Sequence, residues 1–208
     1  MTGERGTAVL IAVLLALLLG AVAAAILSIT SMETLIAASF RHSREAAYGA
    51  EAGLERALHD LASTADWSLV LFPPPGNVAS TFADGQTRPR APDGRVLDLA
   101  ALTAERQAES DAQDGPGAFG ADSPQWRLHA HAPLGALLPP GRPALPLYVV
   151  VWVADDELDG DGDPGADANG RLRVWATAFG TAAARRRVEA LVAKTTTGEL
   201  QVLSWNGQ

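Results

Sequence analysis

The chain has 208 residues and a formal net charge of −8, with 16 Lys and Arg against 24 Asp and Glu, and it contains no cysteine. This length allows one domain of ordinary size, or a smaller domain with an appendage. The negative charge argues against nucleic-acid binding, because holding phosphates requires a surplus of Lys and Arg. The lack of cysteine excludes disulfides, a thiol nucleophile, thiolate zinc sites and iron–sulfur clusters.

The beginning of the chain is a short polar segment, residues 1–6, followed by an apolar stretch, residues 7–32. No charged residue occurs from Gly6 to Met32. As a helix this run would span roughly 40 Å, more than the ~30 Å of bilayer hydrocarbon. We therefore predict a transmembrane helix over residues 7–32. A removable secretory signal is the alternative, although such signals have apolar cores of only about 7–15 residues.

Residues 33–63 continue the helical pattern without a break. All 13 prolines lie at or after Pro73, so no proline interrupts a helix before that point. Apolar residues recur every three to four positions, which favours an amphipathic continuation of the same helix lying against a soluble domain. The residues assigned to this apolar face are Ile36, Phe40, Ala47, Leu54, Leu58 and Leu61.

Residues 64–208 form the predicted globular domain, and its middle part, residues 66–146, is rich in Pro, Gly and Ala. This composition predicts loops with a few short strands. A short helix is expected over Asp98–Gln113, with Asp98 as its N-terminal cap.

The end of the chain, residues 147–205, is rich in β-branched and aromatic residues and predicts a meander of three or four antiparallel strands. In the second predicted strand apolar residues alternate with Arg and Thr, which indicates a half-buried strand. The fold class is therefore α+β, with a long N-terminal helix, first transmembrane and then amphipathic, packed on a C-terminal antiparallel sheet. The predicted strands are Leu147–Ala154, Arg171–Phe179, Arg187–Lys194 and Leu200–Trp205.

Small residues repeat at every fourth position of the apolar stretch. In lipid no hydrophobic force drives helices together, so close approach along small residues promotes their packing. We expect this face to pack against other helices, while a general abundance of alanine is the alternative explanation. The small residues are Ala12, Ala16, Gly20, Ala24 and Ser28.

A cluster of acidic residues between Asp155 and Asp167 contains no Lys or Arg. Alternating carboxylates begin the calcium loop of EF-hands, but Pro164 and Gly170 stand where that motif requires Gly and Glu. Two interpretations stay open: a calcium loop of another kind, or a solvated hairpin loop ending in a turn. The candidate calcium ligands are Asp159, Asp161, Asp163, Asp167 and Asn169.

Other motifs give weaker signals. His129 and His131 would project from the same face of a strand, where they could hold a metal. The segment Gly115–Gly120 matches G-x-G-x-x-G, but it lacks the flanking strand and helix of a nucleotide site and is predicted to be a loop. No hydrolase, metalloprotease or phosphate-loop motif occurs, so we do not expect an enzyme.

Three segments carry a family resemblance: Arg5–Gly6 before the apolar run, Glu45–Gly53 with the sequence AEAG at Ala50–Gly53, and the C-terminal pattern Arg173–Lys194. With these, the chain resembles type IV pilin-like proteins, and more closely the PilX-type minor pilins of type IV pilus assembly. The resemblance implies a pilin-like fold and cleavage by prepilin peptidase after Gly6, leaving Thr7 as the mature N-terminus. It further implies insertion in bacterial inner-membrane lipid, an exported C-terminal domain, and other pilins as partners through the N-terminal helix, with a place at the pilus or cell surface after assembly.

The chain departs from major pilins at the fifth mature position, where they carry a glutamate and this chain has Ile11. An intramembrane carboxylate costs at least ~2.5 kcal/mol, which a pilin recovers by pairing it with a neighbour's N-terminal amine. A subunit with Ile11 cannot form that pair, so we expect a priming or tip subunit. The alternatives are a tip pseudopilin of type II secretion and a single-pass anchored binding protein with no filament role.

Overall fold

A computed structural model describes residues 3–73, 80–115, 117–139, 141–195 and 197–207, and it has the predicted α+β architecture. Met1 and Thr2 of the predicted leader lie outside the described residues. The chain divides into two compact units, Met1–Arg41 and His42–Gln208.

Helix α1 spans Gly3–Ser63, which confirms one long helix up to the predicted end. Every residue from Thr7 to Ala37 is exposed. An 18-residue window of this helix reaches a mean hydropathy of 3.0, so it is long and apolar enough to span a membrane. Its polar side chains are locally satisfied, since the hydroxyls of Thr30 and Ser31 donate to the carbonyls of Ile26 and Leu27 at 3.0 and 2.8 Å.

The buried face of α1 begins at Ala46 rather than at the predicted Ile36. Ile36 and Phe40 are 63% and 62% exposed and belong to the first unit, so assigning them to the domain-facing stripe was wrong. The period of the apolar residues does not distinguish side chains that face a sheet from those of an exposed apolar segment. The buried residues of α1 are Ala46, Gly49, Ala50, Gly53, Leu54, Ala57, Leu58 and Leu61.

The sheet has five antiparallel strands that pair in chain order. The predicted meander is confirmed in topology, and β1, in the middle part of the chain, adds a fifth strand. The bounds of β3 match the prediction, and those of the other predicted strands differ by one or two residues. The strands are β1 Arg127–Pro133, β2 Tyr148–Asp155, β3 Arg171–Phe179, β4 Arg185–Lys194 and β5 Leu200–Gly207.

Both faces of the central sheet are covered. One face packs on α1 through residues such as Val149, Val151 and Val174, in the larger of two hydrophobic clusters. The other holds Val150, Trp152 and Trp175 in a second cluster. Strand β3 is therefore buried on both faces over most of its length, and the expected half-buried strand was wrong.

Helices α2 (Ser68–Leu71) and α3 (Leu99–Asp114) complete the α-helical elements of the described residues. The side chain of Asp98 caps α3 by accepting from the backbone N–H of Ala101 at 3.1 Å, which confirms the predicted cap. Leu99 and the partly buried Leu102 of α3 belong to the second cluster, so this helix helps to cover the second face. Short 3-10 turns occur at Gly120–Asp122, Leu134–Leu137 and Thr181–Ala183.

Two glycines allow α1 to approach the sheet closely. A Cβ atom at Gly53 would lie 2.3 Å from Cγ1 of Val149, and one at Gly49 would lie 2.6 Å from Cδ1 of Leu147. Real Cβ atoms do not approach carbon atoms so closely. Both glycines lie in the Glu45–Gly53 segment, so this part of the sequence has a specific packing role.

Candidate functional site

The exposed apolar part of α1 is a candidate interaction surface. Its leucines between Leu10 and Leu19 are 54–67% exposed. The predicted packing residues Ala12, Ala16, Gly20, Ala24 and Ser28 are all exposed along the same helix, and nothing lies within 4 Å of a Cβ built at Gly20. A continuous apolar surface of this kind marks a membrane or protein interaction site. The predicted processing residues Gly6 and Thr7 lie at the beginning of the same helix.

The acidic loop connects β2 to β3, and its best ligand cluster lies where β2 ends. One carboxylate oxygen each from Asp155, Asp159 and Asp161 lies within 4.8 Å of the others. Asp155 is 1% exposed, and burial together with the charge of Asp159 raises the pKa of its carboxyl group to about 8. Three oxygens this close would repel each other when ionised, and a proton or a cation would relieve the repulsion.

Asp159 has one carboxylate oxygen that is hydrogen-bonded and one that is not. Its Oδ2 accepts from the backbone N–H of Ala168 at 2.8 Å, while its Oδ1 is buried and has no hydrogen-bond partner in the described structure. A buried oxygen without a partner is costly, and a hard cation such as calcium would satisfy it. Asp155, Asp159 and Asp161 are thus the residues that fit calcium.

The other three predicted ligands lie outside this cluster of three carboxylates and are hydrogen-bonded within the loop, as is Oδ1 of Asp161, which accepts from the N–H of Asp163 at 2.8 Å. Oδ1 of Asp163 accepts from the N–H of Gly165 at 2.9 Å. Oδ1 of Asp167 accepts from the backbone N–H groups of Gly170 and Arg171 at 2.7 and 3.1 Å. Nδ2 of Asn169 donates to Oδ1 of Asp156 at 2.6 Å. The structure therefore joins two of the five predicted ligands, Asp159 and Asp161, to a residue that sequence reasoning left out.

The two candidate metal-binding histidines lie on opposite faces of the sheet, so the expectation of a shared face was wrong. The register of β1 against β2 shifts between Leu128 and Ala130. This bulge interrupts the regular alternation of side chains between the two faces, so His129 does not share a face with His131. Nε2 of His129 lies 3.6 Å from Oδ2 of Asp60 on α1, whereas Nδ1 of His131 lies 3.2 Å from Oδ1 of Asp84. They cannot hold one ion together.

Asp60, at the end of α1, lies at the centre of a partly buried polar cluster. It accepts hydrogen bonds from Arg56 at 2.6 Å and from Ser80 at 2.5 Å. Burial raises the pKa of Asp60, but the nearby imidazole of His129, the hydrogen bond from Ser80 and the charge of Arg56 outweigh it, so the pKa is lowered. This cluster ties α1 to β1 and to the segment that precedes it.

A stack of arginine and tryptophan side chains fixes α3 on the sheet. The buried guanidinium of Arg106 lies 3.9 Å from the ring centre of Trp175 and 4.8 Å from that of Trp126. Arg187 lies 5.1 Å from the ring of Trp175 and donates to Glu109 of α3 at 3.0 Å. Trp126 and Trp175 are thus buried packing residues between the sheet and α3.

The glycine-rich segment is a loop, as predicted. Gly115 ends α3 with a φ of 88°, and Gly120, with a φ of 64°, begins a 3-10 turn. An α-helix rather than a strand precedes the glycines, so the strand–turn–helix geometry of a nucleotide site is missing here.

No protein family, curated protein or solved structure matches the chain. Its function must therefore be inferred from its own residues.

Proposed function

We propose that the chain is a minor pilin-like structural subunit that acts in type IV pilus assembly, at a priming or tip position. The observation that carries the proposal is helix α1, which combines an exposed, uncharged stretch at residues 7–32 with a later part packed on an antiparallel sheet. The segment with the AEAG sequence supplies the closest contact, through Gly53 against Val149. The residues that carry the resemblance thus have a physical reason to be small.

In this proposal the uncharged stretch holds the subunit in bacterial inner-membrane lipid, and the C-terminal domain is exported. Prepilin peptidase removes Met1–Gly6. The face with Ala12, Ala16, Gly20, Ala24 and Ser28 then packs against other pilin helices during extraction into the filament. Small side chains allow the backbones to approach closely, which is the main source of helix association in lipid.

The priming or tip position rests on Ile11. Its side chain is 58% exposed and apolar, so it inserts in lipid without the cost of a carboxylate. It also offers no charge to the N-terminal amine of a neighbouring subunit. A subunit of this kind is expected where that pair is not needed, at an end of the filament or in an initiating complex.

The first test is the N-terminus of the full chain, expressed with and without an active prepilin peptidase and analysed by intact-mass spectrometry. We expect loss of Met1–Gly6 and N-methylation of Thr7 only when the peptidase is active. Gly6→Leu should block the cleavage, whereas the matched variant Gly3→Leu should leave it unchanged. An intact N-terminus beside an active peptidase favours the anchored binding protein, and cleavage near Ser28–Ser31 favours a secretory signal; either result would defeat the proposal.

A second test concerns the position in the filament. Sheared filaments from cells that express the chain would be quantified by mass spectrometry. We expect it in far fewer copies than the main fibre subunit. Finding it as the bulk subunit would contradict the priming or tip position.

A further inference from the structure

Asp84, His131 and Tyr148 form a closed network of polar contacts beside strand β1. The hydroxyl of Tyr148 donates to Oδ2 of Asp84 at 2.9 Å. Nδ1 of His131 lies 3.1 Å from the Tyr148 oxygen and 3.2 Å from Oδ1 of Asp84. The carboxylate also accepts from the backbone and side-chain N–H groups of Gln86 at 3.0 and 3.1 Å. Each side chain is thus held by two partners.

The backbone of His131 is fixed as firmly as its ring. Its N–H donates to the carbonyl of Phe82 at 2.8 Å, and its carbonyl accepts from the N–H of Asp84 at 3.0 Å. The segment with Asp84 therefore lies along the outer edge of β1, where Ala83 pairs with His131. The position and the orientation of the imidazole are set by the fold.

The proton positions in this network follow from its donors. Burial and the hydrogen bond to Asp84 raise the pKa of Tyr148, so the phenol stays protonated. Its O–H donates a hydrogen bond to Asp84. The Tyr148 oxygen and the Asp84 carboxylate can then only accept from Nδ1, so Nδ1 carries a proton. In the uncharged form of the ring Nε2 then carries the lone pair, and no hydrogen bond to Nε2 occurs within the described residues.

His131 lines a pocket of about 630 Å³ between β1, the beginning of α3 and the loop that contains Gly85. Because Nδ1 faces Asp84 and Tyr148, Nε2 on the other side of the ring is the nitrogen that the pocket can reach. The walls include Leu99, Ala100 and Leu128. The pocket has the size and the largely apolar lining of ordinary small-ligand sites.

The remaining polar side chain on the wall nearest to α3 is already engaged. The hydroxyl of Thr103 donates to the carbonyl of Leu99 and accepts from Nε1 of Trp152, both at 2.8 Å. Arg88 at the rim pairs with Asp98 at 3.3 Å. The pocket therefore combines apolar walls with the polar side chains of Gln86, Thr87, Arg88, Asp98 and Thr103, and the network fixes the orientation of the His131 imidazole beside them.

We propose that this pocket binds an apolar group that carries a hydroxyl or N–H donor, with the donor bonded to Nε2 of His131. An apolar ring fits against Leu99, Ala100 and Leu128, and its donor completes the hydrogen bonding of the imidazole. The proposal does not depend on a role in a filament, since every residue in it lies within residues 82–152.

The test uses the full chain in phospholipid nanodiscs and a matched pair of probes, N-acetyl-tyrosinamide and N-acetyl-phenylalaninamide, which differ only in a hydroxyl. Affinities would be measured by saturation-transfer NMR of the probe and by titration of the His131 signal in histidine-labelled protein. One neutral hydrogen bond corresponds to roughly two- to tenfold in affinity, so the tyrosine probe should bind tighter by about that factor. His131→Phe should abolish the preference, and the exposed-site control His59→Phe should retain it.

A second variant keeps the network intact and fills the pocket. Ala100→Phe should weaken both probes at least tenfold, whereas Ala108→Phe, at an exposed position further along α3 and away from the pocket, should not. Equal affinity of the two probes, no saturable binding of either, or unchanged binding in Ala100→Phe would each overturn the proposal.

Discussion

At the scale of single residues, Gly53 shows how one side chain determines helix-to-sheet packing. A Cβ atom there would lie 2.3 Å from Cγ1 of Val149, a fully buried side chain on β2. Gly53→Ala gains about 1 kcal/mol of helix propensity. It also forces overpacking that ordinarily costs about 1–3 kcal/mol and is severe at this distance. We expect the free energy of unfolding to fall by about 1–2 kcal/mol, measured by urea denaturation of the full chain in detergent micelles.

Two matched variants separate the cost of overpacking in Gly53→Ala from its gain in helix propensity. Gly20→Ala makes the same chemical change in the same helix, where nothing lies within 4 Å, so the domain's denaturation midpoint should not change. Val149→Ala opens the space that the new methyl group needs, so Gly53→Ala should cost less in that background, with a coupling of about 1 kcal/mol. Equal costs in both backgrounds would show that the close contact does not determine the effect.

Because of Asp155, the free energy of unfolding should decrease as the pH rises. Its pKa is raised to about 8 in the folded chain, against about 3.9 for an unfolded aspartate. Between these values the folded state holds more protons, so Asp155's contribution to stability is complete below pH 4 and is lost as the pH rises towards 8. Asp155→Asn should remove this dependence, and without divalent cations it should be more stable than the parent at pH 8.5 by more than about 1.4 kcal/mol.

Comparing the parent with Asp155→Asn separates the effect of Asp155 from that of groups whose ionisation stabilises the fold as the pH rises. The lowered pKa of Asp60 stabilises the fold above the aspartate's normal range and is lost in acid, but it is present in both proteins. Urea midpoints from pH 4.5 to 8.5 would be compared, with Glu199→Gln as the control at an exposed loop position. If the parent and Asp155→Asn have parallel pH profiles, Asp155 does not hold its proton as the structure requires.

At the scale of elements, the loop between β2 and β3 is expected to bind calcium through Asp155, Asp159 and Asp161. Their oxygens lie within 4.8 Å of one another, and Oδ1 of Asp159 is buried without a partner. A calcium site of the extracellular kind has a dissociation constant of about 1 mM, which gives about 1.4 kcal/mol of stabilisation at 10 mM calcium. Thermal denaturation at pH 8 should therefore show a higher Tm with calcium than with EDTA.

Single substitutions distinguish this cluster from the ligands predicted from sequence. Asp159→Asn should abolish the calcium effect, whereas Asp163→Asn should reduce it less, because Asp163 does not belong to the cluster of three carboxylates. The calcium effect should shrink as the pH falls towards 5, because Asp155 must lose its proton to bind a cation. An unchanged Tm at millimolar calcium would favour the solvated hairpin loop.

The elements that sequence patterns predicted are those whose signals are local. Strand β3 has β-branched and aromatic residues between Gly170 and Gly180, and its predicted bounds agree with the structure. Helix α3 begins at a capping aspartate, which is also a local signal. Strand β1 lacks such a signal, since Arg127–Pro133 contains two histidines and a proline, and its pairing with β2 and Ala83 makes it a strand.

The site residues that sequence reasoning missed depend on non-local geometry. The bulge at His129 results from the pairing of β1 with β2, and it separates two histidines that strict alternation places together. Asp155 belongs to a strand rather than to the acidic loop, yet the loop folds back so that Asp159 and Asp161 reach it. The hydrogen bond between Tyr148 and Asp84 joins residues far apart in sequence, and no spacing rule predicts such a contact.

At the scale of the whole molecule, the chain consists of two units that differ in composition and burial. The first, Met1–Arg41, contains the exposed apolar helix, and its described side chains contribute nothing to either hydrophobic cluster. The second, His42–Gln208, contains both clusters and the acidic loop. The net charge of −8 and the apolar composition are thus properties of different parts of the chain.

This division predicts that residues 42–208 fold without the first unit. The buried hydrophobic residues of the described chain begin at Ala46, so removing residues 1–41 leaves both clusters complete. We expect the shortened chain to be soluble without detergent and to unfold cooperatively, as followed by near-UV circular dichroism and urea denaturation. A chain of residues 64–208 is the matched control, because it also loses Leu54, Leu58 and Leu61 and exposes one face of the sheet. It should aggregate or lack a cooperative transition. Cooperative folding of residues 64–208, or aggregation of residues 42–208, would show that the end of α1 is not the part of the helix that the domain needs.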